Sequence, residues 1–396
     1  MLELAVLKKK AVDLLCQLIE TQSFSSEEDK TADIIFNFLT EHGATAHRQN
    51  NNVWSIHPNF DENKKTILLN SHHDTVKFGS SWTYDPLKAT IEGDKLIGLG
   101  SNDAGASAVS LLATYINFLK EDLPFNLIVA ITAEEESSGE LNVASILPNL
   151  PKIELGIVGE PTQMDMAIAE RGLVVMDVSV KGKTGHAARN EGVNAIYEAI
   201  DAMNWFKTYN FERVSDMLGP VKMTVTQINA GHQHNVVPDE CHLVVDCRVN
   251  ELYSNQEVVD TITNYLPKAE VKARSLRLNS SRISENHPIV QKGIELGCMT
   301  YGSPTMSDQA MMNFETVKMG PGDSARSHTP DEYIYLSEIE HGIEKINDEK
   351  SLSDCIPNLG IACKNCNGKY KRRGEAARKL PRESINTFQQ AHCKKY

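Results

Sequence analysis

The sequence has no apolar run near the roughly 20 residues that a membrane-spanning helix needs. It is also short of positive charge, with 40 Lys and Arg against 53 Asp and Glu and a net charge of −13. That balance disfavours general nucleic-acid binding and adhesion to anionic membranes. The eight cysteines lack the spacing of a disulfide framework, and the N-terminal segment does not look like a cleavable signal. We therefore expect a cytoplasmic protein with reduced thiols.

What is present is typical of a soluble enzyme with more than one domain, since the chain has 396 residues, 41% of them hydrophobic. Short apolar runs at 66–69, 127–130 and 155–158 alternate with helical patterns such as 104–119. Runs of this kind predict strands buried on both faces, and hence an α/β domain with a largely parallel sheet. Near the N-terminus, Ser25-x-x-Glu28 predicts a capping box that opens a helix ending at Gly43.

The pattern changes between residues 173 and 282, where strands and helices are predicted in the order β-α-β-β-α-β of a ferredoxin-like domain. We predict a catalytic domain formed by 1–172 and 283–347, with 173–282 inserted into it. The segment 348–396 has eleven Lys and Arg against five Asp and Glu and little apolar periodicity. It is predicted to be a poorly ordered basic tail without a catalytic role.

Acidic and histidine side chains follow nearly every predicted strand of the α/β domain. They stand at Ser71-His72-His73-Asp74, Glu134-Glu135-Glu136, Glu160 and the segment 328–332, and a further loop contains Asp103. Ligands of open α/β sheets bind at the carboxyl ends of the strands, so these side chains predict one metal-type site. His72 and Asp74 share a face in extended chain, which lets Asp74 accept the second ring N–H of a metal-ligating His72.

The three consecutive glutamates are the second feature that points to hydrolysis. One carboxylate can ligate a metal while its neighbour acts as a general base on water. Spacing alone leaves open which of them does which.

Seven motifs now resemble one known family, the di-zinc amidohydrolases that include acetylornithine deacetylase, succinyl-diaminopimelate desuccinylase, aminoacylase and the glutamate carboxypeptidases. The motifs are, in order, SHHDTV, GLGSNDAGAS, TAEEE, VGEPT, TGHAAR, NVVPDECHLVVDCR and SHTPDEY. The resemblance covers residues 65 to 335. It implies an α/β, zinc-peptidase-like catalytic domain with a mixed, largely parallel sheet, carrying an inserted ferredoxin-like α+β dimerisation (lid) domain.

The same resemblance implies the roles of the site residues. Two zinc ions, with cobalt or manganese as possible substitutes, would be bridged by Asp103 and a water or hydroxide. His72 and Glu160 would hold one ion, and Glu136 and His328 the other. Glu135 would be the general base.

For substrate binding, the resemblance implies that His186 of the partner subunit in a homodimer donates to the oxyanion, while Asn235, Arg248 and Arg171 contact the substrate. The motifs lie nearest those of the acetylornithine deacetylases, which predicts an N²-acyl-ornithine or N²-acyl-citrulline substrate in arginine biosynthesis. A succinyl group would need a cation such as Arg171 beside its free carboxylate. The alternatives are a metallo-dipeptidase or aminopeptidase, a succinyl-diaminopimelate desuccinylase of lysine biosynthesis, and a non-catalytic binding module.

Overall fold

A computed structural model describes residues 4–346, so the predicted tail at 348–396 lies outside the described residues. The helices are α1 Leu4–Ile19, α2 Asp29–Glu41, α3 Ala106–Phe118, α4 Ala195–Thr208, α5 Asn255–Tyr265, α6 Pro288–Glu295 and α7 Leu336–Ile346. The strands are β1 Ala46–Gln49, β2 Asn52–Ile56, β3 Thr66–His72, β4 Thr90–Glu92, β5 Lys95–Ile97, β6 Asn126–Thr132, β7 Leu155–Val158, β8 Met166–Glu170, β9 Gly172–Lys181, β10 Gly185–His186, β11 Lys222–Ala230, β12 Val236–Val237, β13 Glu240–Val249, β14 Ala269–Ala273, β15 Ser281–Arg282, β16 Thr300–Ser303, β17 Glu315–Lys318 and β18 Tyr333–Tyr335.

A mixed nine-stranded sheet forms the centre of the larger domain, with the order β1-β2-β6-β3-β7-β17-β8-β15 and β16 beside β8. Its middle strands β6, β3, β7 and β17 are mutually parallel. β3, β6 and β7 are buried along their whole length, which explains their continuous apolar sequences. The predicted fold class is confirmed.

The parallel register brings the carboxyl ends of these four strands to one edge of the sheet. His72 pairs with Thr132 at the ends of β3 and β6, and Lys318 pairs with Val158 at the ends of β17 and β7. The loops that leave this edge contain the acidic and histidine side chains noted in the sequence. We call this edge the catalytic rim.

The helix α3 lies across the sheet and packs between α1 and α7. Nearly all of its residues are buried, so it is a core helix without a polar face. Before it, Gly100 takes a left-handed backbone with φ of 72°. A Cβ atom at Gly100 would lie 2.6 Å from the side chain of Thr75, so only glycine fits this turn.

The predicted capping box at the start of α2 is wrong. The N-cap residue is Glu28, which makes no side-chain cap hydrogen bond. Ser25 instead donates to Asp74 Oδ2 at 2.7 Å, so tertiary contact with the rim replaces the local cap. The predicted stop agrees with the structure, because α2 ends at Glu41 and Gly43 has a φ of 86°.

The inserted segment forms an antiparallel sheet with the order β11-β13-β9-β14, covered on one face by α4 and α5. Its alternating strands β9 and β13 point every second residue into a separate apolar core. The short β10–β12 pair extends from this sheet. This is the ferredoxin-like arrangement that the sequence predicted, and we call it the lid.

Within residues 4–346 no helix combines the length and apolarity needed to span a bilayer. The cysteines described there, at positions 16, 241, 247 and 298, are unpaired thiols.

Candidate active site

Two groups of potential metal ligands lie side by side on the catalytic rim. The first contains His72, Asp103 and Glu160, and the second contains Asp103, Glu136 and His328. Within each group, the ligand atoms lie within 4.8 Å of one another. Because Asp103 belongs to both groups, the five side chains form a single cluster with a shared carboxylate.

The two oxygens of Asp103 face the two histidines. Its Oδ1 lies 3.3 Å from His72 Nε2, and its Oδ2 lies 3.6 Å from His328 Nε2. A carboxylate placed in this way can bridge two cations, one on each oxygen. The cluster is asymmetric, since the His72 side chain is 1% exposed and that of His328 is 53% exposed.

His72 is oriented for ligation. Its Nδ1 lies 3.1 Å from the backbone oxygen of Asp74 and 3.4 Å from the Asp74 carboxylate. Its Nε2, in contrast, is buried and has no hydrogen-bond partner. A buried ring nitrogen without a partner is costly unless a ligand satisfies it. Together with three carboxylates and a second histidine, it fits a pair of divalent ions such as zinc, cobalt or manganese.

Asp74 organises the loop of three glutamates. Its Oδ1 accepts the backbone N–H of Glu135 at 3.0 Å, and its Oδ2 accepts that of Glu136 at 3.1 Å. These bonds fix the loop relative to His72. The sequence singled out Asp74 as the partner of His72, but its hold on the glutamate loop is visible only in the structure.

Glu135 belongs to neither ligand group but lies next to them. Its Oε2 lies 3.9 Å from His72 Nε2, within reach of a molecule bound between the groups. Burial, followed by the charges of Glu160, Asp308 and Glu136, raises its pKa well above the usual range despite the opposing effect of His72. A carboxylate with a raised pKa near a hydrolytic centre suits proton transfer.

Glu134 has a structural role. Its carboxylate accepts Ser26 Oγ at 2.9 Å and the backbone N–H of Leu141 at 2.9 Å. The contacts therefore separate the three consecutive glutamates into a loop anchor, a general-base candidate and a ligand candidate. Sequence spacing had left this division open.

Burial also perturbs the ligands themselves. It raises the pKa of Glu160 to about 8. The hydrogen bond with Glu136 raises the pKa of His328 to about 9. His328 also takes a left-handed backbone with φ of 58°, a conformation that costs about 1–3 kcal/mol for a residue other than glycine. Such strain and crowding of like charges are typical of a site built for cations.

Glu332 is a site residue that the sequence reasoning quoted only within a motif. It is 2% exposed, and its carboxylate accepts the backbone N–H groups of Gly100, Asn102 and Asp103 at 3.1, 2.9 and 2.8 Å. It therefore holds the loop that carries the shared ligand. The signal was its position four residues after His328.

The predicted substrate-binding residues lie in different places. Arg248 lines a cavity of about 300 Å³ together with Glu135, Glu136 and His328. Arg171 does not reach the site, because its guanidinium donates to the backbone oxygens of Leu218 and Pro220. The expectation that Arg171 approaches the acyl group therefore has no support in its contacts.

His186 and Asn235 lie together on the lid, where the backbone N–H of Ala187 donates to the backbone oxygen of Asn235 at 3.1 Å. Both side chains are exposed, and neither lines the cavities at the ligand cluster. Within one chain they do not join the rim.

Comparison with known proteins agrees with this fold. Residues 168–274 match the peptidase dimerisation domain M20_dimer. The chain is 28% identical over 282 residues to succinyl-diaminopimelate desuccinylase 2 of Ruegeria sp. (strain TM1040), covering 66% of this chain and 70% of that protein. It is 26% identical over 363 residues to the acetylornithine deacetylase of Proteus mirabilis (strain HI4320), covering 83% of this chain and 93% of that one.

Solved structures show the same architecture. The YXEP protein of Bacillus subtilis, described as a dinuclear metal binding peptidase from the M20 family, superposes with a TM-score of 0.70 at 14% identity, covering 89% of this chain and 100% of that one. The α/β domain with its rim cluster and inserted dimerisation domain thus defines a hydrolase of the metallopeptidase type. The chain therefore contains an M20 peptidase dimerisation domain and is similar to proteins of the M20 peptidase family, for which metal dependence is typical.

Proposed function

We propose that this enzyme hydrolyses the amide bond of an N²-acyl amino acid of the ornithine or citrulline type, in arginine biosynthesis. One observation carries the proposal of amide hydrolysis. Two groups of ligands share Asp103, and Glu135 lies beside both groups without belonging to either. That arrangement provides cation sites and a separate proton carrier at one point.

The ligand groups would hold two zinc ions, one at His72 and Glu160 and the other at Glu136 and His328. When bound, two such ions lower the pKa of water and polarise an acyl carbonyl. The protein residues supply the rest of the chemistry.

Glu135 is placed to move the proton. It accepts a proton from the attacking water as the new C–O bond forms at the acyl carbon, and it returns that proton to the amine nitrogen as the C–N bond breaks. Its raised pKa makes the carboxylate a stronger base for the first of these transfers. Asp74 keeps Glu135 in place through its backbone N–H.

The active form is proposed to be a homodimer built through the lid. β11 is an edge strand, paired on one side with β13 in the described part of the chain. Beside it lie exposed apolar side chains of β11 and α4, namely Ile228, Tyr197 and Ile200, which are 50%, 69% and 44% exposed. A free strand edge next to apolar surface favours association with a second copy.

The position of His186 suggests why a dimer would be needed for catalysis. Because it is exposed on the lid and lines neither cavity at the ligand cluster of its own chain, we propose that it donates to the oxyanion at the partner's site. Such donors contribute about 3–4 kcal/mol to lowering a barrier.

Arg248 supports the substrate class. It lines the cavity next to Glu135, and its guanidinium is held by Asp246 at 2.8 and 3.1 Å, so it is oriented to meet the α-carboxylate of an amino acid. Relatives named acetylornithine deacetylase and succinyl-diaminopimelate desuccinylase act on acylated amino acids by their names.

The test is hydrolysis of N-acetyl-L-ornithine, N-acetyl-L-citrulline and their succinyl analogues by zinc-loaded protein, with succinyl-diaminopimelate and a dipeptide in the same panel. The Glu135→Gln variant serves as the matched control. We expect it to retain its zinc and to lose about 10²–10⁴-fold in kcat.

Turnover of an ornithine or citrulline derivative that falls in the control supports the proposal. Turnover confined to the dipeptide or to succinyl-diaminopimelate contradicts the proposed substrate. Full activity of Glu135→Gln contradicts the proposed base.

A further inference from the structure

Lys318 is a buried cation at the site that the reaction described above does not use. It is the last residue of β17, and its partner in register is Val158 at the end of β7, two residues before Glu160. Its side chain is 4% exposed. A lysine placed this deeply at the catalytic rim needs a reason, because lysine is rarely buried without one.

The first reason is an ion pair behind the cavity wall. Lys318 Nζ lies 3.0 Å from Glu170 Oε2. Glu170 is fully buried and also accepts hydrogen bonds from Ser307 and Gln309. Burial lowers the pKa of Lys318, but the carboxylates of Glu170 and Glu160 raise it more, so the net shift is upward and the ammonium is charged.

The ion pair with Glu170 does not use all the hydrogen-bond donors of the Lys318 ammonium. Its remaining contacts, with the backbone oxygen and Oγ1 of Thr305, are both 3.4 Å long, beyond the ordinary length of an N–H···O bond. Since an ammonium has three donors, Lys318 has capacity for a further acceptor.

The acceptor would come from the cavity that Lys318 lines. This cavity measures about 260 Å³. It is lined by residues of the ligand cluster and also by Tyr301, Thr305 and Ser324. Lys318 is the one lysine or arginine among the described residues that line it. Glu135, Glu136 and His328 line this cavity and also the separate cavity that contains Arg248.

We propose that Lys318 binds the free carboxylate of a dicarboxylic acyl chain, which makes the preferred acyl group succinyl and not acetyl. The inference rests on the proposed function and names its acyl subsite. Arg248 and Lys318 line different cavities that meet at Glu135, so an amide lying there has an arginine on one side and a lysine on the other. A substrate with a carboxylate at each end satisfies both cations through charge-assisted hydrogen bonds.

Lys318 thus takes the role that the sequence indicated for Arg171. Arg171 is occupied by backbone oxygens of the lid. An acetyl group would offer no carboxylate to the remaining donor capacity of Lys318, and sites built to pair a substrate group discriminate strongly against analogues that lack it.

The experiment compares kcat/KM for the succinyl and acetyl derivatives of the same amino acid, expressed as a ratio. A ratio is independent of the fraction of folded, metal-loaded enzyme. The variants are Lys318→Met, the double variant Lys318→Met with Glu170→Gln, which avoids a lone buried carboxylate, and Arg171→Met as the matched control. Binding of succinate to zinc-loaded protein, measured by calorimetry, gives a readout separate from turnover.

We expect wild-type enzyme to prefer the succinyl substrate, and both Lys318 variants to lower the ratio by about 10-fold or more, the scale of one charge-assisted bond. Succinate binding should weaken in parallel, while Arg171→Met keeps the wild-type ratio. A wild-type preference for acetyl, which needs no variant to observe, overturns the subsite. So does an unchanged ratio in the double variant. Hydrolysis of neither substrate would overturn the proposed function as well, so the two failures are distinguishable.

Discussion

The catalytic rim and the lid use polar residues in opposite ways. On the rim, Asp74, Asp103 and Glu332 are buried or nearly so, and each is fixed by neighbours from distant parts of the chain. On the lid, His186 and Asn235 are exposed and lie near each other, away from any described ligand cluster. Both regions contain motifs of the same family.

The contrast indicates which part of the site a single chain can form without a partner. Carboxylates crowded at the rim repel one another, and that cost is tolerable only where cations are meant to bind. The lid carries no such crowding, and its predicted functional residues need a second surface to act on. We therefore infer that the rim is assembled by folding, while the lid contribution is assembled by association.

The largest effect should follow from removing the shared ligand. Asp103→Ala deprives both ligand groups of an oxygen, so we expect the zinc content to fall and turnover to drop by about 10³-fold or more, the scale for loss of an essential member of a catalytic unit. Asp177→Ala is the matched change on the lid, where the carboxylate pairs with Arg274 on the exposed surface. It should leave zinc content and turnover close to wild type. Equal zinc content and equal turnover in the two variants would contradict the proposed difference between rim and lid.

A smaller effect is expected for His186→Ala, which tests whether the lid contributes to the site of the partner subunit. His186→Ala should lower kcat by about 10²–10³-fold with zinc content unchanged, as expected for an oxyanion donor. Mixing it with Glu135→Gln protein and allowing subunit exchange should restore activity, because one site of each mixed dimer then has both groups.

Activity that stays low after mixing, with exchange verified by labelled subunits, would show that His186 serves its own chain. In that case the lid would belong to the same unit as the rim.

The smallest expected effect is the release of protons from the ligand residues when metal binds. Burial raises the pKa of Glu160 to about 8, and Glu136 raises that of His328 to about 9, so both hold a proton at neutral pH before metal binds. Ligation removes these protons, and zinc affinity should therefore increase as pH rises from 6 to 8. Calorimetry in buffers of different ionisation enthalpy would measure the release. Affinity independent of pH would mean that the ligands are already deprotonated and that the rim is no more perturbed than the lid.

Much of the rim could be predicted from sequence. The positions after buried strands placed His72, Glu160 and His328 at one sheet edge, since parallel strands end on the same side. The family resemblance then indicated which carboxylate is shared. The structure brings these residues together as expected, whereas the domain boundaries and the catalytic roles stay predictions.

Other expectations depended on contacts that no spacing reveals. The capping box at Ser25 was wrong because Asp74 attracts its hydroxyl across the fold. Arg171 had the right charge for an acyl carboxylate, but backbone oxygens of the lid occupy it. Lys318 belongs to no motif, and only its place at the end of the largely buried strand β17 brings it to the cavity.

Sequence patterns were sufficient to predict the α/β class, the lid of ferredoxin-like order and the set of residues able to bind metal. These follow from local patterns and from ordered motifs, which are properties of the chain in one dimension. The three-dimensional contacts were needed to identify which glutamate anchors the loop, which one remains beside the ligands, and which cation lines the cavity. Those outcomes depend on burial and on partners far apart in the chain, because electrostatic and hydrogen-bond energies depend on distance in space.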